Sequence, residues 1–250
     1  METEVVIAFA NAQGAAAGAT ESPQNFSGYL IVADIISRVH GEVAGVNIMG
    51  LYQHYAVPIL THLAMSNRYL VEYRQRTIAN ARGRVLEIGI GSGLNFPLYA
   101  SEVASIHGID PSRGLLNRAL RQRASRTVLV QGSAETLPFD SAAFDTVVTT
   151  WTLCTIPDVL AALRDIRRVL RPDGRMLFVE HGLAPDRAVA RWQDRLTPCW
   201  KCLGGGCHLN RKIDDLIDAA GFHIERLVTG YIRARTPFSY MYEGIARRRP

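Results

Sequence analysis

Three glycines in an otherwise apolar stretch constrain this 250-residue chain more than any other feature. Residues 85–95 read Val-Leu-Glu-Ile-Gly-Ile-Gly-Ser-Gly-Leu-Asn. The β-prone run up to Ile88 predicts a buried strand, and the glycines after it predict a tight loop leading into a helix. Because glycine has no Cβ atom, such a loop can lie within hydrogen-bonding distance of a ligand. We therefore expect a cofactor across residues 89–93.

Two acidic residues near the glycines indicate which cofactor. Glu87 precedes a Gly-x-Gly-x-Gly spacing whose third glycine comes one residue earlier than in the pyrophosphate-binding fingerprint. A carboxylate there would repel a phosphate but could attract a cation. Asp110 ends the strand predicted for residues 106–109, where an acid accepts both hydroxyls of a ribose. A ribose that carries a cationic amino acid and no phosphate is S-adenosylmethionine.

Strand and helix patterns alternate through the middle of the chain. Strands are predicted at 85–88, 106–109, 128–131, 146–150 and 176–180, and helices near Phe96, at 111–123 and at 158–170. Two further strands are predicted at 224–228 and 240–246. Strands separated by helices predict a doubly wound α/β fold with a mostly parallel sheet.

Five motifs, in order, resemble those of the class I S-adenosylmethionine-dependent methyltransferases. They lie at 86–93, 108–112, 132–135, 144–148 and 170–174. The resemblance implies a Rossmann-like sheet of seven strands closed by one antiparallel strand. It also implies that Ser133 and Ala134 lie beside the adenine. Asp145 is predicted to be structural, because it lies at the start of its strand, away from the chemistry. The predicted cofactor-binding residues are Glu87, Gly89, Gly91, Gly93, Asn95, Asp110, Pro111, Ser112, Ser133, Ala134, Glu135 and Thr150.

The chain before residue 83 has a different composition. We predict a flexible segment at 1–25, a helical cap at 26–82 and the methyltransferase domain at 83–250. Within the cap, Tyr52 is predicted to reach the cofactor cleft. No run approaches the ~18 apolar residues that span a membrane, and acids precede the short apolar run at 5–10. The sequence therefore predicts a cytoplasmic protein with no membrane span.

Three cysteines and a histidine near the C-terminus raise the question of a metal. Cys199, Cys202, Cys207 and His208 have the spacing C-x2-C-x4-C-H. A zinc knuckle needs its fourth ligand about five residues after the third, where Lys212 stands. Adjacent Cys207 and His208 could both ligate only with an unusual backbone, so we predict that the chain binds no metal.

The residues directly after the fourth strand indicate the class of methyl acceptor. Enzymes that methylate exocyclic amines of bases carry Asn or Asp there, then Pro-Pro and an aromatic residue. This chain has Thr-Trp-Thr-Leu-Cys at 150–154. A small-molecule acceptor is therefore favoured over nucleic acid, despite a net charge of +5 and a pI near 9.2.

A second resemblance narrows the acceptor. Leu153-Cys154, Glu180-His181, Trp200, Gly206-Cys207, Leu209 and Arg211 are similar to the methyltransferase-like 7 family. The resemblance implies methylation of small alkyl thiols. An imidazole, with a pKa near 6.5, could take the proton of a thiol, with a pKa near 8.5. His181 and His208 are the candidate bases. Two alternatives are a quinone or lipid methyltransferase and a non-catalytic protein that binds S-adenosylmethionine.

Overall fold

The computed structural model describes residues 57–123 and 126–249 of the chain. The segment predicted to be flexible, most of the predicted cap, and Tyr52 lie outside the described residues. Within the described residues, two helices come before the first strand, α1 (Val57–Met65) and α2 (Arg68–Ile78). Asn67 begins α2, and its side chain accepts a hydrogen bond from the Tyr69 backbone N–H at 3.1 Å. Such a cap satisfies an N–H that has no partner within the helix.

The sheet has seven strands in the order β3-β2-β1-β4-β5-β7-β6. β7 is antiparallel to both of its neighbours, while the pairs among β1 to β5 are parallel. The predicted fold class is thereby confirmed, including the single antiparallel strand near one edge. The strands are β1 (Gly83–Ile88), β2 (Val103–Asp110), β3 (Thr127–Gln131), β4 (Phe144–Thr150), β5 (Leu170–His181), β6 (Phe222–Tyr231) and β7 (Tyr240–Arg248).

Four helices connect the strands. They are α3 (Arg113–Gln122), α4 (Val159–Val169), α5 (Arg187–Leu203) and α6 (Ile213–Ala219). The helix predicted near Phe96 is only a 3₁₀ turn, Phe96–Leu98. The chain leaves this turn in an extended conformation at Tyr99, whose hydroxyl donates to the buried Glu87 carboxylate at 2.7 Å.

Apolar layers cover both faces of the sheet. On one face, α4 and α6 pack residues such as Leu163 and Ile217 against Phe144 and Phe178. On the other face, Ile78 of α2 and Leu116 of α3 pack against Val85. A continuous apolar sequence is expected for strands that are buried on both faces. The order of the strands reverses between β1 and β4, and ligands of open α/β sheets bind at the carboxyl ends of the strands at such a point.

Candidate active site

A cavity of about 1180 Å³ opens at this reversal point. Residues at the carboxyl ends of β1, β2, β4 and β5 line it, and α1 and α2 contribute further side chains. Pockets for one small ligand have volumes of roughly 300–1,000 Å³. The cavity therefore has room for a cofactor and an acceptor together.

The glycine loop forms one wall of the cavity. Gly89, Gly91 and Gly93 have φ angles of 66°, 57° and 82°, a region that L side chains rarely adopt. A Cβ atom on Gly89 would lie 2.4 Å from Thr152 Oγ1, and one on Gly93 would lie 2.5 Å from the Phe96 ring. On Gly91 it would meet nothing closer than 3.9 Å. Gly89 and Gly93 are thus required for packing, whereas Gly91 faces open space.

Asp110 lies beside this loop at the end of β2. Its Oδ2 accepts from the Gly91 N–H at 3.0 Å, and its Oδ1 accepts from the Ser112 N–H at 2.8 Å. Burial raises the pKa of this carboxyl to about 6, although both hydrogen bonds oppose the shift. Asp110 lines the cavity together with four more of the residues predicted to bind the cofactor, Pro111, Ser112, Ser133 and Ala134.

Glu87 and Asn95 do not line the cavity but lie in a buried network behind it. Asn95 donates to Glu87 Oε1 at 2.7 Å and accepts from Arg74 Nη1 at 2.8 Å. Burial raises the pKa of Glu87 to about 7, while the hydrogen bonds from Tyr99 and Asn95 lower it. Glu87 is predicted to attract a cation. In the structure the cationic group that interacts with it is the guanidinium of Arg74, which itself lines the cavity.

Glu135 and Gly93 are also predicted cofactor residues that do not line the cavity. Glu135 Oε1 accepts from the Asp158 N–H at 2.7 Å, and its Oε2 accepts from the Ser133 hydroxyl at 3.0 Å. Its carboxylate thus ties the loop after β3 to the start of α4. Thr150 does line the cavity, and its hydroxyl accepts from Asn95 at 3.1 Å.

Three residues that the sequence reasoning missed lie on the cavity wall. His62 of α1 contacts the Ser92 hydroxyl through Nδ1 at 2.7 Å, which fixes α1 over the glycine loop. Trp151 has a φ of 52°, and the guanidinium of Arg74 lies 4.9 Å from the centre of its ring. A left-handed conformation at an aromatic residue is strained and tends to occur at functional sites. The one signal in the sequence for Trp151 was its position directly after β4, at the carboxyl end of a strand.

The opposite end of the cavity holds two thiols and an imidazole. His181 Nε2 lies 2.8 Å from Cys207 Sγ, and these atoms and Cys154 Sγ are all within 4.8 Å of one another. All three residues line the cavity. The hydrogen bond with Cys154 and then the contact with His181 lower the pKa of Cys207, against the effect of burial. The same pairing and burial raise the pKa of Cys154, so the pair favours a thiolate on Cys207 and a thiol on Cys154.

The other members of the C-x2-C-x4-C-H pattern lie elsewhere. Cys199 and Cys202 are exposed on α5. His208 does not line the cavity, and its Nδ1 lies 3.2 Å from the Cys154 carbonyl oxygen. Its pKa is lowered, chiefly by burial. Of the two predicted bases, His181 is therefore the one beside the cavity.

Comparisons with known proteins show the family of the chain. The methyltransferase domain family matches residues 86–178. A phosphatidylethanolamine N-methyltransferase from Cereibacter sphaeroides is 37% identical over 49% of this chain and 68% of its own length. The chain belongs to the class I S-adenosylmethionine-dependent methyltransferases, and S-adenosylmethionine is its cofactor.

Two further comparisons bear on the acceptor and the fold. The rat thiol S-methyltransferase TMT1B is 32% identical over 55% of this chain, which spans 59% of the rat protein. The crystal structure of YcgJ from Bacillus subtilis superposes with a TM-score of 0.55 at 19% identity, over 73% of this chain and 98% of YcgJ. Within residues 57–123 and 126–249, the helices are too short or too polar to cross a membrane.

Proposed function

We propose that the chain transfers the methyl group of S-adenosylmethionine to the sulfur atom of a small thiol. In this proposal the amino-acid and ribose parts of the cofactor lie across Gly89 and Gly91, with the ribose hydroxyls donating to Asp110. The adenine lies beside Ser133 and Ala134. The methyl group then points toward Thr150 and the end of the cavity that contains His181.

The observation that carries the proposal is that, among the described residues lining the cavity, no carboxylate lies at the end formed by Cys154, His181 and Cys207. Among the described residues that line the cavity, Asp110 is the single carboxylate, and it lies at the cofactor end. An amine acceptor is a cation at neutral pH and would be favoured by a carboxylate at the acceptor end. A thiol acceptor has no such requirement.

Charge also favours a thiol at this end. A thiolate attacks the methyl carbon opposite the sulfonium sulfur, and the two charges cancel as the new bond forms. Trp151, Trp200, Phe238 and Met241 give the cavity wall apolar surface. Exclusion of water strengthens the attraction between a thiolate and a sulfonium. Similarity to the rat thiol S-methyltransferase supports the same assignment.

A lipid or quinone acceptor is the second candidate. The large cavity favours it, as does the exposure of apolar side chains of α1, among them Leu60 at 52% and Leu63 at 64%. An apolar rim of this kind suits a long hydrocarbon chain. The similarity to a phosphatidylethanolamine N-methyltransferase favours it too.

The release of S-adenosylhomocysteine distinguishes the two candidates. The full chain is incubated with S-adenosylmethionine and, separately, with a small alkyl thiol, a quinol, phosphatidylethanolamine vesicles and RNA. We expect turnover with the thiol and a methyl thioether as its product. Turnover confined to the quinol or the vesicles would assign the second function, and turnover with RNA would contradict both.

A further inference from the structure

We propose that Cys154, His181 and Cys207 bind one zinc ion, whose fourth coordination position is open to the cavity and receives the thiolate of the acceptor. The thiolate part of this inference rests on the proposed function, whereas the metal site itself does not. The ligand set differs from the C-x2-C-x4-C-H pattern, for which the sequence predicts no metal. It takes one cysteine from that pattern and adds two residues distant in sequence.

The first support is geometric. The two sulfur atoms and His181 Nε2 lie within 4.8 Å of one another, with His181 Nε2 and Cys207 Sγ at 2.8 Å. Bond lengths of about 2.3 Å to sulfur and about 2.0 Å to nitrogen place tetrahedral zinc ligands roughly 3.5–3.8 Å apart. Side-chain shifts of about 1 Å would therefore bring all three atoms into the first coordination sphere of zinc.

The second support is the way in which the backbone fixes these residues. Cys154 follows β4, His181 ends β5, and Cys207 follows α5. The His208 N–H donates to the Cys154 carbonyl oxygen at 2.8 Å, which holds the loops of the two cysteines together. Gly205 and Gly206 have φ angles of 62° and 90°, and they turn the chain so that Cys207 faces inward. Three separate segments thus converge on one point.

The chemistry of the three ligands favours zinc over harder ions. Thiolate and imidazole are soft or borderline donors, and Ca²⁺ and Mg²⁺ instead prefer oxygen. Catalytic zinc sites keep three protein ligands and leave the fourth position to water or substrate, and two cysteines with one histidine is a known set. All three residues line the cavity, so the fourth position faces the proposed acceptor site.

Charge balance is favourable as well. Two thiolates neutralise Zn²⁺, and a third thiolate from the acceptor gives the centre one negative charge opposite the sulfonium. The Arg211 guanidinium lies near both cysteines and donates to the carbonyl oxygens of Leu153 and Pro157. It provides one positive charge at the edge of the cluster.

The reaction on this site conserves atoms and charge. The acceptor thiol replaces a zinc-bound water and releases its proton to solvent, because a thiol that coordinates zinc is deprotonated. The sulfur lone pair forms a bond to the methyl carbon while the bond from that carbon to the sulfonium breaks. The products are a methyl thioether and S-adenosylhomocysteine. The neutral thioether is a weak ligand, so water replaces it and the zinc is unchanged.

The test begins with metal content. The full chain is expressed with zinc in the medium, purified without chelator, and analysed by elemental mass spectrometry. We expect about one zinc per chain in the unaltered protein and in Cys202→Ser, and less than about a tenth of that in Cys154→Ser and Cys207→Ser. Cys202 is the matched control because it is exposed on α5 and outside the cluster. Circular dichroism checks that each variant is folded.

A second measurement needs no variant. Cobalt(II) is substituted for zinc in the unaltered chain, and its visible spectrum is recorded before and after addition of a small alkyl thiol. We expect intense tetrahedral bands, a thiolate-to-cobalt charge-transfer band, and a change in both when the thiol binds. Metal content is measured without acceptor, so failure of thiol methylation and failure of the metal site are distinguishable.

Three outcomes would overturn the metal site. They are a zinc-free chain after loading, equal zinc in Cys207→Ser and Cys202→Ser, and an unreduced mass lighter by two hydrogen atoms in the unaltered chain and in Cys202→Ser but not in Cys207→Ser. The last of these would indicate a disulfide at Cys207 in place of the metal. A cobalt spectrum that does not respond to thiol would overturn the thiolate part alone.

Discussion

The two ends of the cavity are built in different ways. At the cofactor end, the glycine loop and Asp110 come from adjacent parallel strands within residues 85–110. At the proposed acceptor end, Cys154 and Cys207 lie in two loops and His181 ends β5, so the three residues are far apart in sequence. The first end depends on backbone conformations that only glycine adopts easily, and the second depends on side chains that tertiary packing brings together. One end can therefore be altered without the other.

The largest effect is expected from Gly91→Val. A Cβ atom at this position meets open space, yet a β-branched residue at a φ of 57° is strained and would occupy the surface on which we propose that the cofactor lies. We expect the affinity for S-adenosylmethionine to fall by about 3–5 kcal/mol, from strain and lost hydrogen bonds together. Isothermal titration calorimetry measures the loss.

Gly89→Ala is the matched comparison for that variant. Its Cβ atom would clash with Thr152 at 2.4 Å, so this change lowers the melting temperature as well as the affinity. If Gly91→Val binds the cofactor normally, the glycine loop does not contact the ligand.

At the acceptor end, the expected effect of His181→Ala is on turnover. We expect the rate with a small alkyl thiol to fall about 100-fold or more, with the cofactor affinity nearly unchanged. His223→Ala on exposed β6 is the control and leaves both quantities unaltered.

Zinc content separates two roles for His181. Either role supplies a thiolate at neutral pH, so with either one the loss shrinks at pH 9.5, where solvent supplies the thiolate. If His181 is a zinc ligand, His181→Ala contains less than about a tenth of the zinc of the unaltered chain. Unchanged zinc in His181→Ala would restore the prediction of a general base made from the sequence and contradict coordination by His181.

The difference between the two ends also explains which residues of the candidate site could be predicted from the sequence. Gly89, Gly91 and Asp110 were recognisable because the order of strands and the place of each glycine follow from local pattern. Arg74 was missed because its position at the cavity depends on how α2 packs on the sheet. Trp151 was missed because its left-handed conformation and its contact with Arg74 do not follow from local pattern. Cys154 was noticed only as part of a resemblance, because its contact with Cys207 arises from the pairing of two loops.

A smaller effect is expected from Asp110→Ala. The change removes two charge-assisted acceptors for the ribose, and we expect the affinity for S-adenosylmethionine to fall by about 1.5–3 kcal/mol. Asp145→Ala is the control, since that carboxylate accepts from the Arg84 N–H at 2.8 Å and does not line the cavity. An unchanged dissociation constant for Asp110→Ala would remove this residue from the cofactor site.

The smallest effect is a pH dependence of cofactor binding. Burial raises the pKa of Asp110 to about 6 in the chain without ligand, and the ionised form is the one that accepts from both ribose hydroxyls. Below that pH the carboxyl must lose a proton before the cofactor binds, so the affinity falls as pH decreases. For a single group the loss of affinity is about tenfold at pH 5 relative to pH 8.

A second carboxyl titrates nearby, since Glu87 has a pKa of about 7. The affinity for S-adenosylmethionine is therefore measured against pH for both Asp110→Asn and Glu87→Gln. We expect Asp110→Asn to lose the pH dependence near pH 6 and Glu87→Gln to retain it. The reverse result would show that Glu87, in the buried network behind the cavity wall, sets the pH dependence of binding.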